Sequence, residues 1–164
     1  MKIKKFTGFD ENGNLPKGVY NMTLEELEKL FSTTNKRKEI IHEYKKHLDE
    51  IKKTGYLLEH WIDGSFITSE KNPNDIDTLT ELNGEKVDAH KDKEKMEELI
   101  NNAQHRTNYL CHSLRVYKYP STDEENFKRY IKTKRRILFK LFGTDRQGNP
   151  KGFIHIIGDD INVL

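Results

Sequence analysis

The sequence has few cysteines and no long apolar runs, and each absence excludes a class of protein. Its single cysteine, Cys111, cannot form an internal disulfide, which indicates a reducing intracellular compartment. No apolar run approaches the roughly 20 residues that a membrane-spanning helix needs. The basic N-terminus, MKIKKFTGFDENG, lacks the apolar core of a secretory signal peptide. We therefore expect a soluble cytoplasmic protein that has no membrane partner.

Neither sign of charge dominates the chain, because 29 Lys and Arg residues are balanced by 27 Asp and Glu residues. The net charge of +2 therefore excludes little by itself, and only its local distribution is informative. The length of 164 residues suits a single domain with one core. We expect this domain to contain an N-terminal turn and helices over 1–55, a central sheet over 56–120 and a C-terminal part over 121–164.

Capping signals and apolar stripes predict four helices. Thr23 and Glu26 match a capping box, which predicts that the first helix begins there. Apolar residues at helical spacing predict two further helices, over about 36–53 and 92–104. A second capping box, formed by Thr122 and Glu125, predicts a helix near the C-terminus.

Apolar and aromatic runs predict three strands, over 56–62, 75–82 and 109–119. Turn residues predict a C-terminal β-hairpin whose turn lies near Gly148 and Asn149. Similar residues over 6–20 predict a turn, with a hairpin as the alternative. Because helices and strands are mixed in order, we predict an α+β fold with a mixed β-sheet and with helices packed on one face.

The segment DGSFITSEKNPNDID, between the first two predicted strands, is the most informative about chemistry. Gly64 has no side chain, so a phosphate can approach its backbone closely, and Ser65 offers a hydroxyl group. Asp75 and Asp77 are two residues apart on a strand, so their side chains leave the same face. Mg²⁺ commonly joins such carboxylates to substrate phosphates. The pattern therefore predicts a triphosphate and magnesium site; the alternative is a polar loop in which Asp75 caps a turn after Pro73.

The Gly-Ser pair, followed ten residues after Ser65 by Asp-x-Asp, resembles the signature of the DNA polymerase beta-like nucleotidyltransferase superfamily. The resemblance implies a sheet of the minimal nucleotidyltransferase type, with Asp75 and Asp77 as metal ligands and catalytic residues. It also implies transfer of NMP from an NTP to a hydroxyl group of a protein, an RNA or a small molecule. Lys71, in the spacer, is expected to reach the triphosphate.

Active members of that superfamily carry a third carboxylate on a later strand, and here the strand over 109–119 contains no acid. Our predicted register places His112 at that position, where it is a candidate general base but a poor ligand for Mg²⁺. The alternative for His112 is a half-buried strand histidine with no special role. Glu81, Asp88 and Asp123 are acids outside the expected position.

Nearly the whole chain is also similar to a family of small uncharacterised bacterial and phage nucleotidyltransferase-like proteins. The similarity lies in the segments FDENGNLPKG, DGSFITSEKNPNDID and DRQGNPKGFIHI. Together with the missing acid, it keeps a second hypothesis open. In that hypothesis the chain is a catalytically degenerate nucleotide- or partner-binding module, such as an antitoxin, an anti-defence protein or a defence regulator of phage or mobile-element type.

Basic residues are concentrated over 128–140, in the segment KRYIKTKRRILFK. One interpretation is a surface that faces a nucleic acid or a triphosphate. The alternative is a solvated helix face with no binding role.

Overall fold

A mixed β-sheet forms the centre of the computed structural model, which describes residues 3–100, 107–158 and 161. The sheet within these ranges has six strands: β1 (Ile3–Lys4), β2 (Val19–Met22), β3 (Leu57–Asp63), β4 (Ile76–Asn83), β5 (Cys111–Lys118) and β6 (Phe153–Ile156). Their spatial order is β1-β2-β6-β3-β4-β5. β3 is antiparallel to both of its neighbours, and the other neighbouring strands are parallel. The α+β fold with a mixed sheet is confirmed.

The helices begin where capping side chains satisfy their first amide groups. The described helices are α1 (Leu24–Phe31), α2 (Asn35–Lys53), α3 (Gly84–Asp88), α4 (Lys93–Ile100) and α5 (Glu124–Arg136). Thr23 forms both hydrogen bonds of the predicted capping box. At α5 the cap is Asp123 rather than Thr122, because the Asp123 carboxylate accepts from the Asn126 amide. α4 confirms the start of the predicted helix over 92–104, whose residues 101–104 lie outside the described ranges.

Helices cover both faces of the sheet, so the prediction that they pack on one face is wrong. Alternation along β3 directs Ile62 towards the core formed with α1, α2 and α4, and Trp61 towards a second core formed with α5. β4 alternates in the same way, with Ile76 on the first face and Leu79 on the second. Both faces of the central strands are buried, which is why the sheet requires two helical layers.

The predicted C-terminal hairpin is present only as its turn near Gly148 and Asn149, which a single antiparallel bridge between Thr144 and Pro150 closes. No glycine or proline interrupts 124–142, and α5 continues as a π-helical segment, Ile137–Phe142, whose apolar side chains pack on the sheet. After this turn, β6 pairs with β2 and β3 and not with the segment 137–142. The predicted turn over 6–20 is present, but it leads into β2, which is parallel to both of its neighbours, so no hairpin forms there.

Within the ranges that the structure describes, no helix is both long enough and apolar enough to cross a bilayer.

Candidate functional site

A cleft of about 1020 Å³ lies at the end of the sheet where β3 ends and β4, β5 and β6 begin. The antiparallel pairing of β3 with β4 brings the Gly-Ser turn and the Asp-x-Asp segment to this end. Five of the residues that the sequence singles out line the cleft: Gly64, Ser65, Asp75, Asp77 and His112. Residues far apart in the chain are therefore gathered in one place, as the predicted site requires.

Gly64 adopts a backbone conformation that only glycine accepts easily, with φ of +83°. It directly follows β3 and precedes a short 3-10 turn, Ser65–Ile67. A Cβ at this position would overlap the carboxylate of Asp77 on β4. The glycine therefore lets the turn lie directly against the Asp77 carboxylate, which a larger residue would push away.

Asp77 and His112 form a hydrogen-bonded pair on the cleft wall. β4 and β5 are parallel, with Asp77 opposite His112, and Asp77 Oδ1 lies 2.7 Å from His112 Nδ1. An ionised carboxylate only accepts hydrogen bonds, so Nδ1 is the donor, and in a neutral imidazole Nε2 then carries the lone pair. Both side chains are partly exposed, 29% for Asp77 and 28% for His112, so solvent or a ligand can reach them.

The acidic pair fits Mg²⁺ only as an ion that is shared with a substrate. Asp75 and Asp77 line the same cleft, but one oxygen of Asp77 is engaged by His112. Among the described residues, no three His, Cys, Asp or Glu side chains are grouped so that they could hold a metal. Because Mg²⁺ is often bound by one or two carboxylates together with substrate phosphates, this donor set suits a magnesium–nucleotide complex rather than a bare ion.

A buried ion pair lies next to this acidic pair. Asp63, at the end of β3, accepts a hydrogen bond from the ammonium group of Lys151, and both residues are almost fully buried. Burial raises the pKa of Asp63 to about 7, although Lys151 acts in the opposite direction. Asp63 is also opposite Asp77 in the sheet register. The cleft lining thus contains a buried cation, Lys151, which is paired with the carboxylate that stands opposite Asp77.

Arg37 on α2 holds the loop that follows Gly64. Its side chain is buried, and its guanidinium donates to five backbone carbonyls, which belong to Phe31, Ser65, Phe66, Thr68 and Glu70. One planar group with five donors can satisfy several converging carbonyls at once. Arg37 therefore acts through the loop, as a residue that positions Ser65.

Two similar turns also line the cleft. Asp10 and Asp145 each accept hydrogen bonds from backbone amides two and four residues further along the chain. Asn14 of the first turn donates to Asp145 of the second, so the turns are joined. Each turn leads into one of the parallel strands β2 and β6. The sequences of the two turns, DENGNLPKG and DRQGNPKG, are similar, and this similarity has a structural counterpart.

A family model described as a family of unknown function, DUF6932, matches residues 7–157. The chain belongs to DUF6932. No curated protein and no solved structure matches it.

The remaining candidate acids of the DUF6932 chain lie away from the cleft lining. Glu81 is fully buried further along β4, where it accepts from Tyr130 and Lys134. Asp88 accepts from Tyr119, and Asp123 caps α5. His112 is therefore the residue of β5 that stands opposite Asp77.

Lys71 of the DUF6932 chain is exposed, and it is not among the residues that line the cleft. Its carbonyl accepts from Thr34, so the loop around it is attached to the start of α2. The structure thus brings together the other predicted site residues but leaves Lys71 outside the lining.

Sequence reasoning missed Asp63, Lys151 and Arg37. Asp63 is two residues after Trp61 on β3, so strand alternation places both side chains on the same face of the sheet, which is also the face of Asp77. Arg37 occupies a position on the buried stripe of α2 with Ile40, Ile41 and Tyr44, which is an unusual place for a cation. Both signals were readable in the DUF6932 sequence. Lys151, by contrast, needed the three-dimensional position of β6.

Proposed function

We propose that the cleft binds a nucleoside triphosphate with Mg²⁺ and transfers NMP to a hydroxyl group of a protein, an RNA or a small molecule. The observation that carries the proposal is the contact between the Gly64 turn and Asp77, in the cleft that Asp75 also lines. A phosphate group bound at this turn would therefore lie next to two carboxylates, those of Asp75 and Asp77. The order of strands β3, β4 and β5 is consistent with a sheet of the minimal nucleotidyltransferase type.

Each residue has a separate part in this proposal. Gly64 and Ser65 accommodate the phosphates, and Asp75 and Asp77 hold the metal ion. When bound, Mg²⁺ would neutralise the negative charge of the phosphates. Lys151 adds a fixed positive charge to the cleft lining, next to Asp63. Catalysis would come mainly from positioning and from stabilisation of charge.

His112 would receive the proton of the acceptor hydroxyl. In the proposed step, the hydroxyl oxygen forms a bond to the α-phosphorus, and the bond from that phosphorus to the β-phosphate oxygen breaks. Pyrophosphate leaves, and the hydroxyl proton passes to Nε2 of His112. Asp77 holds the opposite nitrogen of the ring by the 2.7 Å hydrogen bond, which fixes the tautomer that can accept this proton.

A second candidate function is a nucleotide- or partner-binding module without turnover. The observation that favours it is the pairing of Asp77 with His112, where active relatives of the resembled superfamily are expected to have a carboxylate. In this case the cleft would bind the same nucleotide but would release no pyrophosphate.

Transfer is tested by incubating the protein with each of the four NTPs, labelled at the α-phosphate, in the presence of Mg²⁺ and host extract. We expect labelled product with at least one nucleotide, and at least a hundredfold less with Asp75→Ala/Asp77→Ala, because both carboxylates that hold the metal are then removed. Asp49→Asn, which changes an exposed carboxylate on α2, serves as the control and should label as the wild type does. Equal labelling by the double variant would contradict the proposal, whereas binding without labelling would favour the second candidate.

A further inference from the structure

Basic residues are grouped on α5 and on the π-helical segment that follows it. Between Asn126 and Phe142 the sequence contains seven Lys and Arg residues and no acid. Three of these cations have partners: Lys128 pairs with Glu124, Arg129 pairs with Glu125, and Lys134 pairs with buried Glu81. The other four are exposed and pair with no carboxylate among the described residues: Lys132, Arg135, Arg136 and Lys140.

These four cations share one side of the helix with an exposed aromatic ring. Positions 132, 135 and 136 follow the spacing i, i+3 and i+4 on one face of α5. Positions 139 and 140 are on the exposed side of the π-helical segment, whose residues Ile137, Leu138 and Phe142 are buried. The opposite face packs on the sheet through Tyr130, Ile137, Leu138 and Phe142. Phe139 is 52% exposed, in the middle of the cations. We call these five residues, Lys132, Arg135, Arg136, Phe139 and Lys140, the basic face.

We propose that the basic face binds single-stranded nucleic acid. Four unpaired cations along about 12 Å of helix provide contacts for successive phosphates. An exposed aromatic ring between cations provides a surface on which a base can stack, which is a common feature of single-strand binding. An acidic protein segment would also be attracted by the cations, but it would leave the ring of Phe139 without a matching planar group.

The position of the basic face connects it to the cleft. Leu141 and Phe142, at the end of the same π-helical segment, line the cleft, as does Arg146 in the following turn. A strand bound along the basic face would therefore have one end at the cleft mouth. The terminal hydroxyl of that strand would be the acceptor for NMP. This extension rests on the proposed function, whereas the binding of the strand is independent of it.

Binding is tested with a fluorescently labelled single-stranded RNA of twelve nucleotides, by anisotropy without NTP, from 50 to 300 mM KCl. We expect the logarithm of the affinity to fall against the logarithm of the salt concentration with a slope of about −3, the value for roughly four phosphate contacts on a single strand. Arg135→Gln/Arg136→Gln should reduce this slope by about 1.4. Phe139→Ala should weaken binding about tenfold without changing the slope, because stacking is lost but no charge is. A DNA strand of the same sequence shows whether the sugar matters, and binding of either strand supports the proposal.

The matched control is Lys128→Gln/Arg129→Gln, which removes the same charge from the same helix at residues that are already paired with Glu124 and Glu125. It should change the slope by much less than Arg135→Gln/Arg136→Gln does. Equal effects of the two variants, or no binding at low salt, would overturn the proposal. A third result would also overturn the proposal: poly-glutamate displaces the labelled RNA as effectively as unlabelled RNA does, and Phe139→Ala has no effect. That result would indicate an acidic protein partner instead. NTP affinity, measured separately, should be unchanged in both double variants, so a failure here is distinguishable from failure of the nucleotide site.

Discussion

Replacing Lys151 by methionine is expected to destabilise the fold by about 3–5 kcal/mol at pH 8, since removal of one partner leaves a buried charge uncompensated. Lys151 and Asp63 are 7% and 5% exposed, so water is a poor replacement for the lost ammonium group. The methionine side chain is apolar and similar in length to that of lysine, so this substitution removes the charge with little change in packing. The loss should be measured as a change in the free energy of unfolding by denaturant titration.

The same variant should show a distinctive dependence on pH. Burial raises the pKa of Asp63 from 3.8 to about 7, with a further increase from the charge of Asp77 and opposing contributions from Lys151 and the Gly64 amide. Because this pKa is higher in the folded state than in the unfolded state, protonated Asp63 contributes stability at low pH that is lost as the pH rises through about 7. Lys151→Met raises the pKa further, so its deficit against the wild type should be much smaller at pH 5 than at pH 8.

Lys17→Met is the control for Lys151→Met. Each lysine is the middle residue of a Pro-Lys-Gly segment that follows one of the two turns, but Lys17 is exposed. It should change the free energy of unfolding by less than about 0.5 kcal/mol at either pH. A Lys151→Met deficit that is equal at pH 5 and pH 8 would show that Asp63 and Lys151 are not coupled as described.

Replacing Gly64 by alanine is expected to abolish NTP binding and to lower stability by at least about 2 kcal/mol. The φ of +83° alone costs a non-glycine residue on the order of 1–3 kcal/mol. In addition, the new methyl group would overlap the Asp77 carboxylate, so either the turn or the metal-binding side chain must move. Either displacement separates the phosphate position from Asp77, which is the geometry that the proposed function needs.

Gly55→Ala separates these two effects. Gly55 also has a positive φ, +68°, but a Cβ there would have no neighbour within 4 Å. This variant should lose about 1 kcal/mol of stability from backbone strain and keep its NTP affinity. If Gly64→Ala bound NTP as well as Gly55→Ala does, the contact between the turn and Asp77 would have no role in binding.

The predictions that succeeded depend on short-range patterns. The predicted register placed His112 beside Asp77, and the parallel pairing of β4 with β5 confirms it. Asp75 precedes β4, so the shared face of Asp75 and Asp77 stays a prediction. The capping box at Thr23 is equally local and was confirmed. Each of these required only the spacing of neighbouring residues and the pairing of strands that are close in the sequence.

The predictions that failed depend on contacts between distant parts of the chain. The segment 137–142 is apolar and compatible with a strand, but it continues α5 as a π-helical segment whose side chains pack in one cluster with Trp61 and Phe153. The pairing of Lys151 with Asp63 joins residues 88 positions apart, and no local pattern specifies it. The sequence also did not show that helices cover both faces of the sheet. This arrangement depends on where α5 packs, whereas the sequence signals show only where α5 begins.

The most direct test of the central claim is the affinity for NTP with Mg²⁺ and with EDTA, measured by equilibrium dialysis on wild type and on Asp77→Asn, which preserves the shape of the side chain. We expect Mg²⁺ to raise the wild-type affinity about tenfold or more, equivalent to about 1.4 kcal/mol, and we expect this increase to disappear in Asp77→Asn. Mg²⁺ alone should bind only weakly, since the described residues offer no group of three ligands. An NTP affinity that is the same with Mg²⁺ and with EDTA, or the same in both proteins, would contradict the account.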